Sequence, residues 1–314
     1  MMSVIDAHGL TKSYDGHRAI ENVSFSVSKG EIYGFLGPNG AGKTTTIRLM
    51  LNFIRPTRGK LRIFGEFPGK GGPSLRRRIG YLPGEIGLYE HMRGDHALAF
   101  YRDLSGGQAP LHDWICEAIR LSPADRQRRI KTYSKGMKQK LAIAQAVQHD
   151  PDLLILDEPT TGLDPLVQAD FNEVLHELKN RGKTIFLSSH VLSEVQTLCD
   201  RIGVLMDGRL ILDADIPTLM ARAERQLWIL QPSDSGMQPA HPQITGTTFL
   251  RKRGDWLVYH VEPKDSGTML EELANLKPLD FRFESAFEES FLDLYRERRA
   301  ASRTKSQRGG ERTS

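Results

Sequence analysis

Cysteine is scarce in this sequence. The 314 residues include two, Cys116 and Cys199, and neither has a second cysteine nearby with which to form a metal knuckle or a redox pair. Small secreted scaffolds rely on many disulfides, so that class is excluded. The two cysteines fit a reducing cytosol, and the length predicts two domains.

Long apolar stretches are also absent. The sequence contains no run of about 18 or more mainly apolar residues, so none of its segments would cross a bilayer as a helix. Residues 1–14 carry Asp6, His8 and Lys12 and lack the apolar core of a secretory signal, so we expect no export of this chain. A membrane role would therefore need a partner.

The body of the chain has almost no net charge. The total is +4, but residues 296–314 hold seven Lys or Arg and two Glu, which leaves −1 for everything before them. A nearly neutral body is not typical of a protein that wraps nucleic acid, so no specific nucleic-acid partner is expected. The basic tail predicts disorder or, alternatively, contact with a phosphate-rich partner such as lipid headgroups.

The remaining sequence shows two patterns. Residues 1–216 alternate short apolar or β-branched runs with helical patterns, which predicts an α/β fold with a mainly parallel sheet. Within it, residues 85–150 are more polar and predict a helical insert. Residues 217–295 predict a small α+β domain. Its expected elements are strands at Leu227–Leu230, Trp256–Val261 and Phe281–Phe283 and helices near Met269–Leu276 and Glu288–Arg296.

Residues 37–44, Gly-Pro-Asn-Gly-Ala-Gly-Lys-Thr, have the form of a phosphate-binding loop. A predicted strand, Glu31–Leu36, precedes them and a predicted helix, Thr44–Leu51, follows, which is the context that the motif needs. Glycines let backbone N–H groups close around phosphate oxygens. Lys43 would reach the β- and γ-phosphates, and the Thr44 hydroxyl would bind Mg²⁺. The residues expected to bind ATP are Gly37, Pro38, Asn39, Gly40, Ala41, Gly42, Lys43, Thr44 and Thr45.

Two carboxylates follow a predicted buried strand, Leu153–Leu156. Asp157 and Glu158 come directly after it, at the carboxyl end where ligands of open α/β sheets bind. Asp157 would hold Mg²⁺, and Glu158 would accept a proton from the attacking water. An isolated Asp-Glu pair would fit a cap or a salt bridge equally well. Beside a phosphate loop, the pair predicts ATP hydrolysis.

Together these motifs resemble the nucleotide-binding subunit of an ABC transporter, over about residues 4–216. The resemblance implies a homodimer that holds two ATP molecules, each between the phosphate loop of one subunit and the signature sequence of the other. It implies that His190 contacts the γ-phosphate and serves catalysis with Glu158. It also implies that Asp164 lies in the loop through which the subunits sense each other, and that Tyr14 stacks on adenine, unless Tyr14 is a core residue.

Two segments compete for the role of the signature sequence. Residues 104–108, Leu-Ser-Gly-Gly-Gln, match the family consensus literally, but a helix capped by their serine would place Pro110 beyond its first turn, where the ring clashes with a carbonyl. Their serine also lies 52 residues before Asp157, about twice the usual spacing. Ser134 lies 23 residues before Asp157 and opens an amphipathic helix. We therefore predict that Ser134 and Gly136 bind the partner's ATP and that the literal copy is a surface loop.

Two further segments bear on coupling and subclass. The family commonly has Gln after Pro83, where it touches Mg²⁺ and relays the nucleotide state; here the residue is Gly84, and whether Glu85 replaces the glutamine stays open. Residues 287–295 resemble the last helix of the small domain found in drug and antibiotic exporters of the ABC-2 type, and an ordinary packing helix is the alternative. The Leu-Pro-Gly-Glu run at 82–85 also resembles that branch.

The resemblance implies a cytoplasmic ATPase, peripheral on the inner face of the membrane, that energises a separately encoded permease. Export of a drug-like or lipid-like substrate is expected, and the transported molecule itself is not encoded in this chain. The alternative is a soluble ABC-type ATPase that acts on the ribosome or on DNA. Such factors usually carry two cassettes or a long coiled coil, whereas this chain has one phosphate loop and no sustained heptads. A regulator that senses ATP without turnover would lack Glu158.

Overall fold

The computed structural model describes residues 3–222, 225–230, 241–262 and 266–285. The chain divides into two compact units, residues 1–216 and residues 217–314. The helix expected near residues 288–296 and the basic tail lie outside the described residues. Among the helices that are described, none is long and apolar enough to cross a bilayer.

The strands of the first unit form two sheets. In chain order they are β1 (Ser3–Tyr14), β2 (His17–Ser28), β3 (Ile32–Leu36), β4 (Arg58–Ile63), β5 (Ile79–Leu82), β6 (Leu153–Asp157), β7 (Thr184–Ser189), β8 (Arg201–Met206) and β9 (Arg209–Asp215). The larger sheet has the order β5-β6-β7-β3-β8-β9. All its neighbouring pairs are parallel except the β8–β9 hairpin. The predicted α/β fold with a mainly parallel sheet is therefore confirmed.

The central strands are buried along their whole length. Every residue of β3, β6 and β7 is buried, which explains why these strands are continuous apolar runs rather than alternating patterns. Their carboxyl ends lie side by side at one edge of the sheet, because the three strands are parallel neighbours. That edge carries the phosphate loop after β3 and the two carboxylates at the end of β6.

The smaller sheet was not predicted. It is antiparallel, in the order β2-β1-β4, and a turn at Asp15 and Gly16, both with positive φ, joins its two long strands. Phe25 of β2 packs on Tyr33 of β3, with ring centroids 5.6 Å apart, and on Phe186 of β7, at 5.8 Å. These aromatic rings join the two sheets into one core.

Helices flank the larger sheet. In chain order they are α1 (Lys43–Met50), α2 (Gly72–Arg77), α3 (Gly94–Leu104), α4 (His112–Ala118), α5 (Pro123–Gln127), α6 (Lys135–Val147), α7 (Pro165–Asn180) and α8 (Leu192–Leu198), and α9 (Ile216–Arg222) follows β9. Helices α3 to α6 lie within the segment predicted as a helical insert. Leu141, Ala144 and Val147 of α6 are buried as its pattern predicts, whereas Met137, which we expected on the same face, is only partly buried.

The second unit contains an antiparallel sheet covered by one described helix. Its elements are β10 (Arg225–Leu230), β11 (Thr247–Arg253), β12 (Trp256–Val261), α10 (Ser266–Leu276) and β13 (Asp280–Ser285), and the strand order is β11-β12-β10-β13. Leu227 and Tyr259 of the sheet pack in one buried cluster with Met269 and Leu273 of α10. The three predicted strands and the helix near Met269 are confirmed, and β11 was missed.

Candidate active site

The phosphate loop connects the end of β3 to the start of α1. Its turn needs glycine at two positions in particular. A Cβ on Gly37 would overlap the backbone oxygen of Leu205, and a Cβ on Gly42 would lie 2.5 Å from the Ile20 Cγ2. Gly42 also has a φ of +108°, a value that side chains disfavour. The backbone is thus held in a tight turn directly before the N-terminal amides of α1, which favour an anion.

The other loop residues shape this turn. The backbone oxygen of Pro38 accepts a hydrogen bond of 3.2 Å from the N–H of Ala41, which is buried. Asn39 and Gly40 are exposed at the tip, and Thr45 is partly buried in the first turn of α1. The structure therefore places the whole predicted loop in one continuous backbone arc.

Lys43 is drawn into the centre of the loop. Its side chain is only 5% exposed, and its Nζ donates to the backbone oxygens of Gly37, at 2.6 Å, and Pro38, at 3.2 Å. The same ammonium lies 3.2 Å from the Glu158 Oε1. A buried cation is thus fixed beside the loop amides, where it can interact with phosphate oxygens.

Asp157 is buried and fully engaged at the end of β6. Its Oδ2 accepts a hydrogen bond of 3.1 Å from the Thr44 hydroxyl, and its Oδ1 accepts one of 2.6 Å from the Ser188 hydroxyl. The structure therefore brings together Thr44 and Asp157, the two residues predicted to hold Mg²⁺. Ser188, at the end of the adjacent strand β7, orients the carboxylate and was missed in the sequence.

Glu158 lies between the phosphate loop and the predicted switch residue. Its Oε2 lies 3.2 Å from the Nδ1 of His190, while its other oxygen contacts Lys43. Its backbone has a φ of +48°, which a residue other than glycine adopts only when its surroundings impose it. Here the Ser188 backbone and side-chain oxygens both accept from the Glu158 N–H, at 3.1 Å each, and hold this conformation.

Of the two candidate signature serines, one lies at a helix N-terminus and the other at a helix C-terminus. Ser134 caps the N-terminus of α6, and its hydroxyl accepts a hydrogen bond of 3.2 Å from the N–H of Met137. Ser105 instead follows the C-terminus of α3, and the next helix, α4, begins only at His112. The predicted cap at Ser134 and the predicted loop at the literal copy are both confirmed as local structure.

Residues 20–161 match the family model described as ABC transporter. The bacitracin transport ATP-binding protein BcrA of Bacillus licheniformis is 39% identical over 229 residues, which cover 72% of this chain and 74% of that protein. The chain belongs to the ABC transporter family. A fluoroquinolones export ATP-binding protein of Mycobacterium tuberculosis is 36% identical over 236 residues, 74% of this chain and 78% of that protein. A solved structure of the ATP-binding subunit of an ABC transporter, 30% identical, has a TM-score of 0.65 over 70% of this chain and 92% of its own.

These findings make the chain an ATP-binding subunit of the ABC transporter class, with the ATP hydrolase activity of that family. The typical role of such a subunit is to energise a separate permease. The alternative of a factor that acts on the ribosome or on DNA is not favoured by these relatives.

A carboxylate outside the motifs organises the segment around His190 in this ABC subunit. Glu194 of α8 accepts from the Ser189 hydroxyl at 2.9 Å, from the Thr160 hydroxyl at 2.9 Å and from the Gln168 side chain at 3.0 Å. It therefore ties the segment before His190 to the loop after Glu158. Sequence reasoning missed Glu194, because its partners are far apart along the chain.

A second missed residue joins α6 to the loop after Glu158. Gln139 of α6 is buried, and its side-chain amide donates to the backbone oxygen of Pro159 at 2.6 Å. In the same region, a Cβ on Gly162 would clash with the Lys135 side chain, which therefore lies directly on this loop. The first turns of α6 and the loop that follows Glu158 are therefore packed together within one subunit.

Three further residues that we predicted for the site, Tyr14, Ser134 and Asp164, make no described hydrogen bond to the phosphate loop. Tyr14, at the end of β1, is 41% exposed and lies under the Lys12 ammonium, 4.9 Å from the ring centroid, so the alternative that it is a core residue is wrong. Asp164 caps α7, accepting from the N–H groups of Leu166 and Val167. In the described part of the chain, no hydrogen bond joins Ser134 or Asp164 to the phosphate loop.

Gly84 lies next to Asp157, the carboxylate predicted to hold Mg²⁺. A Cβ at this position would be 3.3 Å from the backbone oxygen of Asp157 and 3.7 Å from its Cγ. The place where the family commonly has Gln is therefore adjacent to Asp157. Glu85 is exposed.

Proposed function

We propose that this chain works as a homodimer in which two ATP molecules are held between the subunits, and that the cycle of binding and hydrolysis drives a separately encoded membrane permease. The observation that carries the proposal is the cluster of Lys43, Thr44, Asp157, Glu158 and His190 at the carboxyl edge of the larger sheet. The loop and Lys43 bind the phosphates, and the exposed ring of Tyr14 stacks on adenine.

Glu158 is the proposed general base. Its carboxylate lies between Lys43 and His190, so it is held by two groups that can also contact the γ-phosphate. A fixed carboxylate that takes a proton from water typically accelerates hydrolysis by about 10²- to 10⁴-fold. His190 orients this carboxylate and contacts the phosphate that leaves.

Mg²⁺ fits the pair formed by Thr44 and Asp157. A hydroxyl and a carboxylate are oxygen donors of the kind that Mg²⁺ prefers, and they are already 3.1 Å apart. In the described residues, no group of three or more His, Cys, Asp or Glu side chains could hold a metal by itself. The nucleotide phosphates and water would supply the other ligands, and the ion would neutralise phosphate charge.

Dimerisation completes each site. Ser134 caps α6 and Asp164 caps α7. In the proposed dimer, the amides at the N-terminus of α6, with the Ser134 hydroxyl, donate to the partner's γ-phosphate beside the small residue Gly136, and Asp164 faces the partner. Within one subunit these residues make no described hydrogen bond to the loop, which is expected if they serve the partner's ATP. ATP bridging both subunits favours the closed dimer, and hydrolysis removes that bridge.

The transported molecule and the location are proposed from the relatives. Two similar proteins are named for bacitracin transport and for fluoroquinolones export, so we infer export of a drug-like or lipid-like substrate of the ABC-2 type. The subunit would then be cytoplasmic and bound to the inner face of the membrane through its permease. We also infer an ATP-binding domain at residues 1–216, with a helical insert at 85–150, and a small domain at 217–295; the two compact units support this division.

Substitution of Glu158 tests the proposal. Glu158→Gln keeps the shape of the side chain but removes the base, so steady-state ATP hydrolysis is expected to fall by about 100-fold or more. Because ATP still binds, the variant is expected to associate with itself more tightly when ATP is added, measured as a lower dissociation constant by light scattering over a range of protein concentrations. Glu177→Gln, on the surface of α7, is the matched control. It should retain the wild-type rate of ATP hydrolysis and the same self-association as the wild type, with and without ATP. Unchanged turnover in Glu158→Gln would remove this residue from its role.

A further inference from the structure

The second unit exposes an apolar patch at one edge of its sheet. Strand β13 is the last in the order β11-β12-β10-β13, so among the described strands it has a neighbour on one side only. Leu279, Phe281 and Phe283 alternate along this edge and are 65%, 45% and 45% exposed. With Leu270 of α10, which is 47% exposed, they form what we call the β13 patch. A shallow cavity of about 260 Å³ lies between this part of α10 and the start of β13.

This patch is an unusual surface for a protein that works as a monomer. Edge strands are normally short, charged or covered, because their unpaired backbone groups and apolar side chains attract other strands. Here two large apolar side chains, those of Phe281 and Phe283, are exposed on the edge strand, and Leu279 is exposed directly before it. The apolar surface continues onto α10 at Leu270. Contiguous exposed apolar surface at a sheet edge marks an interaction site.

A second copy of the same chain fits this edge, because the strand is complementary to itself. If two copies pair antiparallel with Phe281 opposite Phe281, then Leu279 of each faces Phe283 of the other, and Asp280 of each faces Arg282 of the other. Opposed residues of an antiparallel pair lie on the same face of the sheet. Apolar pairs would therefore occupy one face and two opposite-charge pairs the other, both of which stabilise strand pairing.

Other registers are less favourable. A pair centred on Arg282 would place that arginine opposite itself and Asp280 opposite Glu284, and like charges directly opposite each other destabilise a sheet. A pair centred on Phe283 would match Arg282 with Glu284 but would set Phe281 opposite Ser285. Of these three registers, only the one centred on Phe281 places apolar pairs on one face and opposite-charge pairs on the other over the described residues.

We propose that the second unit is a dimerisation element that does not need nucleotide, in which the β13 strands of two copies pair antiparallel about Phe281. The two four-stranded sheets then form one continuous sheet across a two-fold axis. The contact keeps the subunits together after ATP is hydrolysed, so each new closure of the ATP sites takes place within an existing dimer at a high effective concentration. It is independent of the contact between Ser134 and the partner's ATP.

Site-directed cross-linking tests the contact. Both natural cysteines are buried, so a thiol introduced by Phe281→Cys would be the one accessible thiol among the described residues. In full-length protein without nucleotide or Mg²⁺, mild oxidation is expected to give a covalent dimer with Phe281→Cys and none with the wild type. A Ser134→Arg substitution added to Phe281→Cys blocks the ATP-dependent dimer and should leave this cross-link unchanged. Absence of the cross-link, together with monomeric wild-type protein in nucleotide-free sedimentation equilibrium, would overturn the proposal.

A pair of charge reversals tests the register. Asp280→Arg places like charges opposite Arg282 and is expected to raise the dissociation constant of the nucleotide-free dimer about tenfold. Glu284→Arg makes the same change of charge on the same face of β13, outside the pairs that carry the register, although it also removes the 3.0 Å ion pair between Glu284 and Arg282 within one chain. The dissociation constant of this variant should therefore rise less than that of Asp280→Arg. The double variant Asp280→Arg/Arg282→Asp should recover most of the loss. Because Arg282 lies 4.9 Å from the Trp228 ring and 4.7 Å from the Trp256 ring, tryptophan fluorescence must first show that this variant is folded.

The ranking of these variants decides between the register centred on Phe281 and the one centred on Phe283. If Glu284→Arg raised the dissociation constant of the nucleotide-free dimer more than Asp280→Arg, pairing about Phe281 would be contradicted. The ATP-dependent dimer of Glu158→Gln, measured with and without Asp280→Arg, separates this contact from the ATP-bound one. If that dimer forms while the nucleotide-free dimer does not, the proposed function stands and the β13 contact fails.

Discussion

Replacement of Ser134 would show which helix end binds the partner's ATP. Ser134→Ala removes the hydroxyl that caps α6 through the N–H of Met137, and loss of such a cap costs about 1 kcal/mol of helix stability. A hydrogen bond from this hydroxyl to an ionised phosphate is worth a further ~1.5–3 kcal/mol. Its loss corresponds to a decrease of about 10- to 150-fold in kcat/KM for ATP.

The matched control is Ser105→Ala, in the literal copy of the consensus. Ser105 follows the last residue of α3, so its hydroxyl caps no helix N-terminus and its loss should change kcat/KM less than about twofold. Phosphate release at a range of Mg-ATP concentrations measures both variants, and circular dichroism melts separate lost stability from lost catalysis. Ser134→Arg and Ser105→Arg should give the same ranking with a larger gap. A greater loss in either Ser105 variant would refute the assignment.

Two predictions concern groups outside the site. Burial lowers the pKa of His149, whose Nε2 lies 3.3 Å from the Ile79 oxygen. The unfolded chain therefore takes up a proton near pH 6.5 that the folded chain does not, and stability falls as the pH drops below that value. Urea unfolding should show that His149→Gln loses less unfolding free energy than the wild type between about pH 7.5 and about pH 5.5, and an equal loss would contradict this. Burial also raises the pKa of the Cys116 and Cys199 thiols, so iodoacetamide should label them slowly in the native protein and quickly in urea; rapid native labelling would show that they are accessible.

The central sheet could be predicted because its strands are unambiguous in sequence. A strand buried on both faces, such as β6, is a short continuous apolar run, and the residues at its carboxyl end are then known. The antiparallel sheet could not be predicted in the same way. The β1–β2 pairing contains four register shifts, and Gly9 and Asn22 have positive φ within the strands. Each irregularity interrupts the alternation of buried and exposed residues from which a half-buried strand is recognised.

The residues of the site also fall into a predictable and an unpredictable group. Residues within contiguous motifs, such as Lys43 and Thr44, were predicted, because their spacing along the chain fixes their positions at the end of the phosphate loop. The residues that hold these motifs in place were missed. Ser188 orients Asp157 from the neighbouring strand, 31 positions away, and Gln139 reaches Pro159 from another helix, 20 positions away. A hydroxyl or an amide carries no sequence signal of such a distant contact, and only the position of Ser188 at the end of a predicted strand beside β6 could have suggested it.

The choice between the two signature candidates shows what a literal match leaves out. A phosphate needs free N–H groups, and those occur at a helix N-terminus, whereas a helix C-terminus presents unpaired carbonyls and a partial negative charge. Residues 105–107 lie at the C-terminal end of α3, where the N–H groups of Ser105 and Gly107 are spent on the Tyr101 and Arg102 oxygens. The start of α6 has the required polarity, and its Ser134 keeps a hydroxyl free to donate while accepting from Met137. Helix polarity therefore favours the prediction of Ser134 and Gly136 as the signature, although three of the five consensus positions differ there.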